Sequence, residues 1–239
     1  MNLCKLELMK IKVSTYLWSV VGIFAGLLAL GILFLFIFQI EMGGNGISEE
    51  AALFGNWNGL SALMTALSYA GFSIFSAVIA AKVVVGEYCG RNAVILLCYP
   101  ISRKAMLRAK CLVVCGITTI AALISNVFVI GLMYVAAEIL NIEPQTAAEH
   151  FFFLVVFSSV FTGFLSSALG VISAVVGWKK RSTTAVIVCA LLIVCITTNF
   201  ITISPGNVLG VMSAMCAFFV VIAYGMYHSL ANGIEQMEV

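Results

Sequence analysis

The sequence predicts an all-α integral membrane protein of six transmembrane helices, with the N- and C-termini on the cytoplasmic side. Three observations predict it. Of 239 residues, 63% are hydrophobic and only 9% are charged, and mean hydropathy is +1.16. Soluble domains carry roughly 25% charge, so this chain cannot cover a globular exterior and needs a bilayer as its outer solvent. The charges are also clustered, leaving uncharged runs that meet the roughly 20 residues needed to cross a hydrocarbon core of about 30 Å. Finally, the signs of the charges segregate along the chain in step with those runs.

The elements follow in order. Residues 13–40, 51–81, 111–137 and 150–178 contain no Lys, Arg, Asp or Glu. The run 182–234 is again uncharged but too long for one helix, and it breaks at Ser204-Pro205-Gly206-Asn207, a proline–glycine turn signal. The predicted spans are roughly 15–38, 59–84, 111–136, 151–177, 184–203 and 207–228, in one transmembrane domain over 1–239. The short connections leave no room for a separate soluble domain.

Six spans place both termini, the loop from about 82 to 110 and the loop 178–183 on one side. All 12 Lys and Arg fall there: Lys5, Lys10, Lys12, Lys82, Arg91, Arg103, Lys104, Arg108, Lys110, Lys179, Lys180 and Arg181. The opposite loops hold Glu41, Glu49, Glu50, Glu138, Glu143 and Glu149 and no base. Lys/Arg bias in short loops sets topology, so the basic side is the cytoplasm. The first apolar stretch is a full span with no small-x-small site after it, and it reads as a retained helix rather than a cleaved signal. No cysteine falls in an outer loop, which argues against an extracellular disulfide framework.

Several chemistries lack their residues. There is no G-x-x-x-x-G-K-[ST], so ATP hydrolysis through a P-loop of this chain is excluded, and there is no H-E-x-x-H. His150 and His228 lie at opposite faces, and every acid lies outside the predicted spans or at their ends. The spans therefore lack the carboxylate relay that proton-driven transporters use. The chain reads as a non-enzyme with no cofactor or metal site of its own. Cys111-x-x-x-Cys115 has no partner ligand nearby and reads as two apolar helix positions one turn apart.

Polar residues inside the spans are neutral. Asn126 and Asn199 are candidates to line a substrate path; the alternative is interhelical hydrogen bonding, at well under 2 kcal/mol each. Small residues recur one turn apart at Gly22/Gly26, Ser166/Gly170 and Gly210/Ala214, and such pairs let helices approach closely, within one chain or between two, with packing within the chain the expected case. Residues 1–14 alternate Leu3, Leu6, Met9 and Val13 with Lys5, Lys10 and Lys12, which fits an interfacial amphipathic segment.

The most informative stretch is 86–110, GEYCGRNAVILLCYPISRKAMLRAK. Its ends are too polar for a span, while Ala93 to Tyr99 is apolar but too short for one. Pro100 restricts Tyr99 and suits the first turn of a new helix. The reading is a short helix at the membrane face, a break, and then a basic helix that continues into span three. Arg103, Lys104, Arg108 and Lys110 are expected to face lipid headgroups.

This stretch resembles the cytoplasmic loop of ABC-2 type permeases, the membrane subunits of ATP-driven exporters. Glu87, Val94-Ile95-Leu96-Leu97, Pro100-Ile101-Ser102-Arg103 and Lys110 fill that family's places. The six-span layout is similar to the branch associated with lantibiotic immunity and bacitracin-type resistance. Arg91 and Asn92 stand where the family commonly has Gly-Thr or Lys-Thr, although Asn92 can still cap a helix from Ala93.

The resemblance implies a short coupling helix between helices 2 and 3 that docks on a separate ATPase. The interface would comprise Glu87, Arg91, Asn92, Val94, Ile95, Leu97, Pro100, Ser102 and Arg103. It further implies two cytoplasmic ABC ATPase subunits carrying ATP and Mg, and a second permease, identical or different. Membrane lipids surround the chain, nucleic acid has no part, and the location is a bacterial cytoplasmic membrane. The implied cargo is a hydrophobic or amphipathic compound such as an antimicrobial peptide. Two alternatives belong to other classes: a non-transporting sensor or sequestering subunit, and an intramembrane enzyme.

Overall fold

The computed structural model describes residues 13–42, 57–88, 103–139, 148–203 and 207–235, and its regular elements are all helical. The helices are α1 (Val13–Met42), α2 (Trp57–Ala80), α3 (Arg103–Ile139), α4 (Ala148–Lys179), α5 (Thr183–Ile203) and α6 (Val208–Glu235). Between α2 and α3 lie a π-helical segment, Ala81–Val85, and a last α-turn, Gly86–Tyr88. Among the described residues six stretches are long and apolar enough to cross a membrane, from Ser14–Ile37 to Val208–Gly233. Apolar runs take this form because a helix satisfies its own backbone polar groups where no water can.

Two helices form the centre. The spans of α2 and α4 are each 67% buried, against 17% for α1 and 22% for α6. α4 packs on α2, α3, α5 and α6, while α1 leans on α3 and α2. A side chain at Gly170 of α4 would overlap Ser76 Oγ of α2 and sit 3.0 Å from Ser76 Cβ, so glycine sets how closely the central helices approach. Gly163 likewise meets Thr119 of α3, whose Oγ1 donates to the Gly163 carbonyl at 3.4 Å.

Packing within the chain holds for Ser166/Gly170, both buried, and not for the other two pairs. Gly22 and Gly26 are exposed with nothing within 4 Å of a built Cβ, and Gly210 and Ala214 are also exposed. Bilayer and protein interior are equally apolar, so small residues are tolerated on either face.

α4 and α5 are joined by a tight turn. Ser182 N–H donates to Gly177 O and Arg181 N–H to Trp178 O, at 3.1 and 3.0 Å, with Arg181 at φ 50°. This is a Schellman cap with arginine at the left-handed position that glycine usually fills.

One end of the bundle gathers the described basic residues. Lys82 Nζ lies 5.8 Å from the Tyr16 ring centroid, tying the end of α2 to the start of α1. Gly233 of α6 lies against the Trp178 ring of α4. Among the described residues, Lys82, Arg103, Lys104, Arg108, Lys110, Lys179, Lys180 and Arg181 share this end of the bundle. Glu138, near the end of α3, lies at the other.

Candidate functional site

The π-helical segment sets the geometry at the first stem of the 86–110 loop. Gly86 N–H donates to Ala81 O, five residues back, so this turn is wider than an α-turn and re-aims the residues that follow it. Val83, Val84 and Val85 stay buried, Lys82 is exposed, and Glu87 follows one residue past the π-segment's cap. The second stem is the start of α3. That helix begins at Arg103, so the basic run forms its first turns.

The two stems are joined by an ion pair between Lys110 Nζ and Glu87 Oε2. The Lys110 side chain has no exposure at all, and Glu87 is 20% exposed. Neighbouring Leu107, Cys111 and Val114 belong to the apolar core together with Val83 and Val84. A lysine ammonium is tolerated there because a carboxylate meets it; unpaired, its desolvation would cost several kcal/mol. Lys110 therefore departs from the headgroup-facing role expected of it, whereas Lys104 and Arg108 are exposed. The pairing has no local sequence signal, since its partners stand 23 positions apart across the loop.

The remaining interface residues are placed as follows. Glu87 is in the closing turn of the first stem, and Arg103 opens α3. Arg91, Asn92, Val94, Ile95, Leu97, Pro100 and Ser102 lie outside the described residues, as does the amphipathic segment apart from Val13 and Ser14.

The substrate-path candidates occupy different environments. Asn126 of α3 is fully buried; its Nδ2 donates to Ser159 Oγ of α4 at 3.0 Å, and Ser159 donates in turn to Val155 O at 2.6 Å. Asn126 Oδ1 has no hydrogen-bond partner. Asn199 is exposed on α5, with Nδ2 bonded to Cys195 O of its own helix at 2.6 Å. The two amides do not share a lining. A further interhelical hydrogen bond, of 3.0 Å, joins Thr197 Oγ1 of α5 to Tyr69 Oη of α2.

Other buried hydroxyls, including Thr65, Thr118, Ser158 and Thr162, bond carbonyls of their own helices. Among the described residues no group of His, Cys, Asp and Glu could hold a metal ion. What the site offers is mechanical: two helix stems clasped together, one of them continuous with the central helix α2.

Residues 3–197, about four-fifths of the chain, match the family described as ABC-2 family transporter protein. The chain belongs to the ABC-2 transporter family. The similarity extends to a curated relative, "Uncharacterized protein YcbO" of Bacillus subtilis (strain 168), 24% identical over 233 residues that span 96% of this chain and 95% of that protein. Family membership, with six span-competent helices, makes this ABC-2 protein a multi-pass membrane protein. It implies a permease subunit of an ABC transporter that works with an ATPase partner. ABC-2 permeases are transport subunits without a catalytic site of their own, in keeping with the absence of a P-loop from this sequence.

Proposed function

We propose that this ABC-2 permease is the membrane half of an ATP-driven exporter and that its 86–110 loop receives the ATPase. The observation that carries the reading is the Lys110–Glu87 pair. It fastens the end of the α2 segment to the start of α3, so force applied to the loop between them reaches both helices together. α2 is central, and a displacement of its end is passed to α4 and α5, which pack on it.

In the fuller form of this reading, Val94, Ile95 and Leu97 supply the apolar docking face. Glu87, Arg91, Asn92, Pro100, Ser102 and Arg103 frame it. Two cytoplasmic ATPases carry ATP and Mg, a second permease completes the pathway, and the basic end of the bundle faces the cytoplasm of a bacterial cell. The cargo is a hydrophobic or amphipathic compound, with a lantibiotic-like antimicrobial peptide as the first class to try.

The test is a Val94→Asp/Ile95→Asp variant co-expressed with a candidate cytoplasmic ABC ATPase partner. The variant is expected to insert normally, lose co-purification with the ATPase and lose cargo-stimulated ATP hydrolysis. An intact complex with normal transport would refute the docking assignment. If cargo binds the wild-type complex without stimulating hydrolysis, the sensor or sequestering reading takes its place.

A further inference from the structure

α6 packs chiefly on α4, leaving a lateral groove between α3, α4 and α6 with a volume of about 690 Å³. Its floor and walls are mainly apolar, including Leu112, Ile120, Phe164, Ala168 and Val220, with Thr119 and Ser167 among them and Gly116 leaving open space. One end is different. Arg108, exposed, and Tyr227 line the groove at the basic end of the bundle. From Arg108 to Ile120 a helix rises about 18 Å. That is close to the depth of one leaflet, half of a core about 30 Å thick.

A cation and a tyrosine at the mouth, followed by a leaflet-deep apolar trough, match the anatomy of one membrane lipid with a negative head. The charge balance at this end points the same way: by position, the described residues there include eight Lys and Arg against two acids, Glu87, which pairs with Lys110, and Glu235. The second groove, about 560 Å³ between α1 and α3, has no charged residue in its lining, although Lys82 lies over the ring of its Tyr16.

We propose that the groove between α3, α4 and α6 is a binding site for a single anionic phospholipid. The phosphate sits at Arg108, within reach of the Tyr227 hydroxyl, and one acyl chain runs past Gly116 toward Ile120. The site stands independently of the export reading.

The full-length protein, purified in detergent and supplied with phosphatidylglycerol or phosphatidylcholine, provides the test by native mass spectrometry. Wild type is expected to retain one phosphatidylglycerol about fivefold better than phosphatidylcholine, somewhat less than one charge-assisted hydrogen bond in a buried setting would give. Arg108→Gln should erase that preference. Val220→Trp and Gly116→Leu, which fill the trough, should lower retention of both lipids. Gly22→Leu, at an open position on α1, should change neither. Equal retention of the two lipids by wild type overturns the proposal, as does an undiminished preference in Arg108→Gln. Because Arg108 is exposed, that variant decides the matter even if a trough-filling variant misfolds.

Discussion

Lys110 and Glu87 form a part-buried ion pair across the 23 positions that separate the end of the second span from the start of the third. Lysine is fully buried while glutamate is 20% exposed, which makes the two replacements unequal. Glu87→Gln leaves the ammonium inside the protein without its carboxylate and should cost about 3 kcal/mol. Glu87→Gln/Lys110→Met removes both charges and should recover more than half of that loss, because apolar replacement of a buried pair is often neutral. Thermal unfolding of the solubilised protein, followed by fluorescence-detected size exclusion, measures both. Additive losses would show that the two groups act separately.

Gly170 and Gly22 are predicted to respond oppositely to alanine. At Gly170 the methyl would overlap Ser76 Oγ and crowd Ser76 Cβ at 3.0 Å, so Gly170→Ala should cost about 1–3 kcal/mol. Adding Ser76→Ala removes the hydroxyl overlap but not the second contact, and rescue should be partial. At Gly22 nothing lies within 4 Å, and alanine should be neutral or stabilising by up to about 1 kcal/mol through helix propensity. Melting temperatures of the three variants decide.

Arg181 holds a left-handed backbone at φ 50° in the turn between α4 and α5. An L-residue there carries a penalty of roughly 1–2 kcal/mol that glycine avoids. Arg181→Gly should raise the melting temperature, and Arg181→Val should lower it. A stabilised valine variant would contradict the Schellman geometry assigned to this turn.

The charge asymmetry predicts the direction of insertion. A reporter active only in the cytoplasm, fused after Val239, should be active, and the same reporter inserted near Glu143 should be silent. Activity at Glu143 would invert the topology and, with it, the side on which an ATPase could dock.

The six spans were legible because charge is almost absent from them: a uniform apolar run long enough to cross a bilayer has few other readings. Which face of each span turns inward was not legible. Gly22/Gly26 and Ser166/Gly170 look alike in sequence, yet one pair faces outward and the other seats α2 against α4. In a soluble protein polarity would separate them; next to lipid it does not. Asn126 and Asn199 were indistinguishable for the same reason, although one is buried against α4 and the other exposed on α5.

The burial of Lys110 has no local signal because its partner lies across a long loop, while its near neighbours Lys104 and Arg108 are exposed. Most of the docking face read from the 86–110 stretch lies outside the described residues. That part of the site rests on its sequence and on the stems that flank it.

The clasp between Lys110 and Glu87 also has an entropic consequence. Bringing the two ends of a loop together costs chain freedom, and a partner that had to gather them would bind more weakly by that amount. Here the ends are already held by the folding of the bundle. A protein arriving at segment 89–102 would meet a circuit that is closed before it binds, so its contact energy is left for holding on and for pulling.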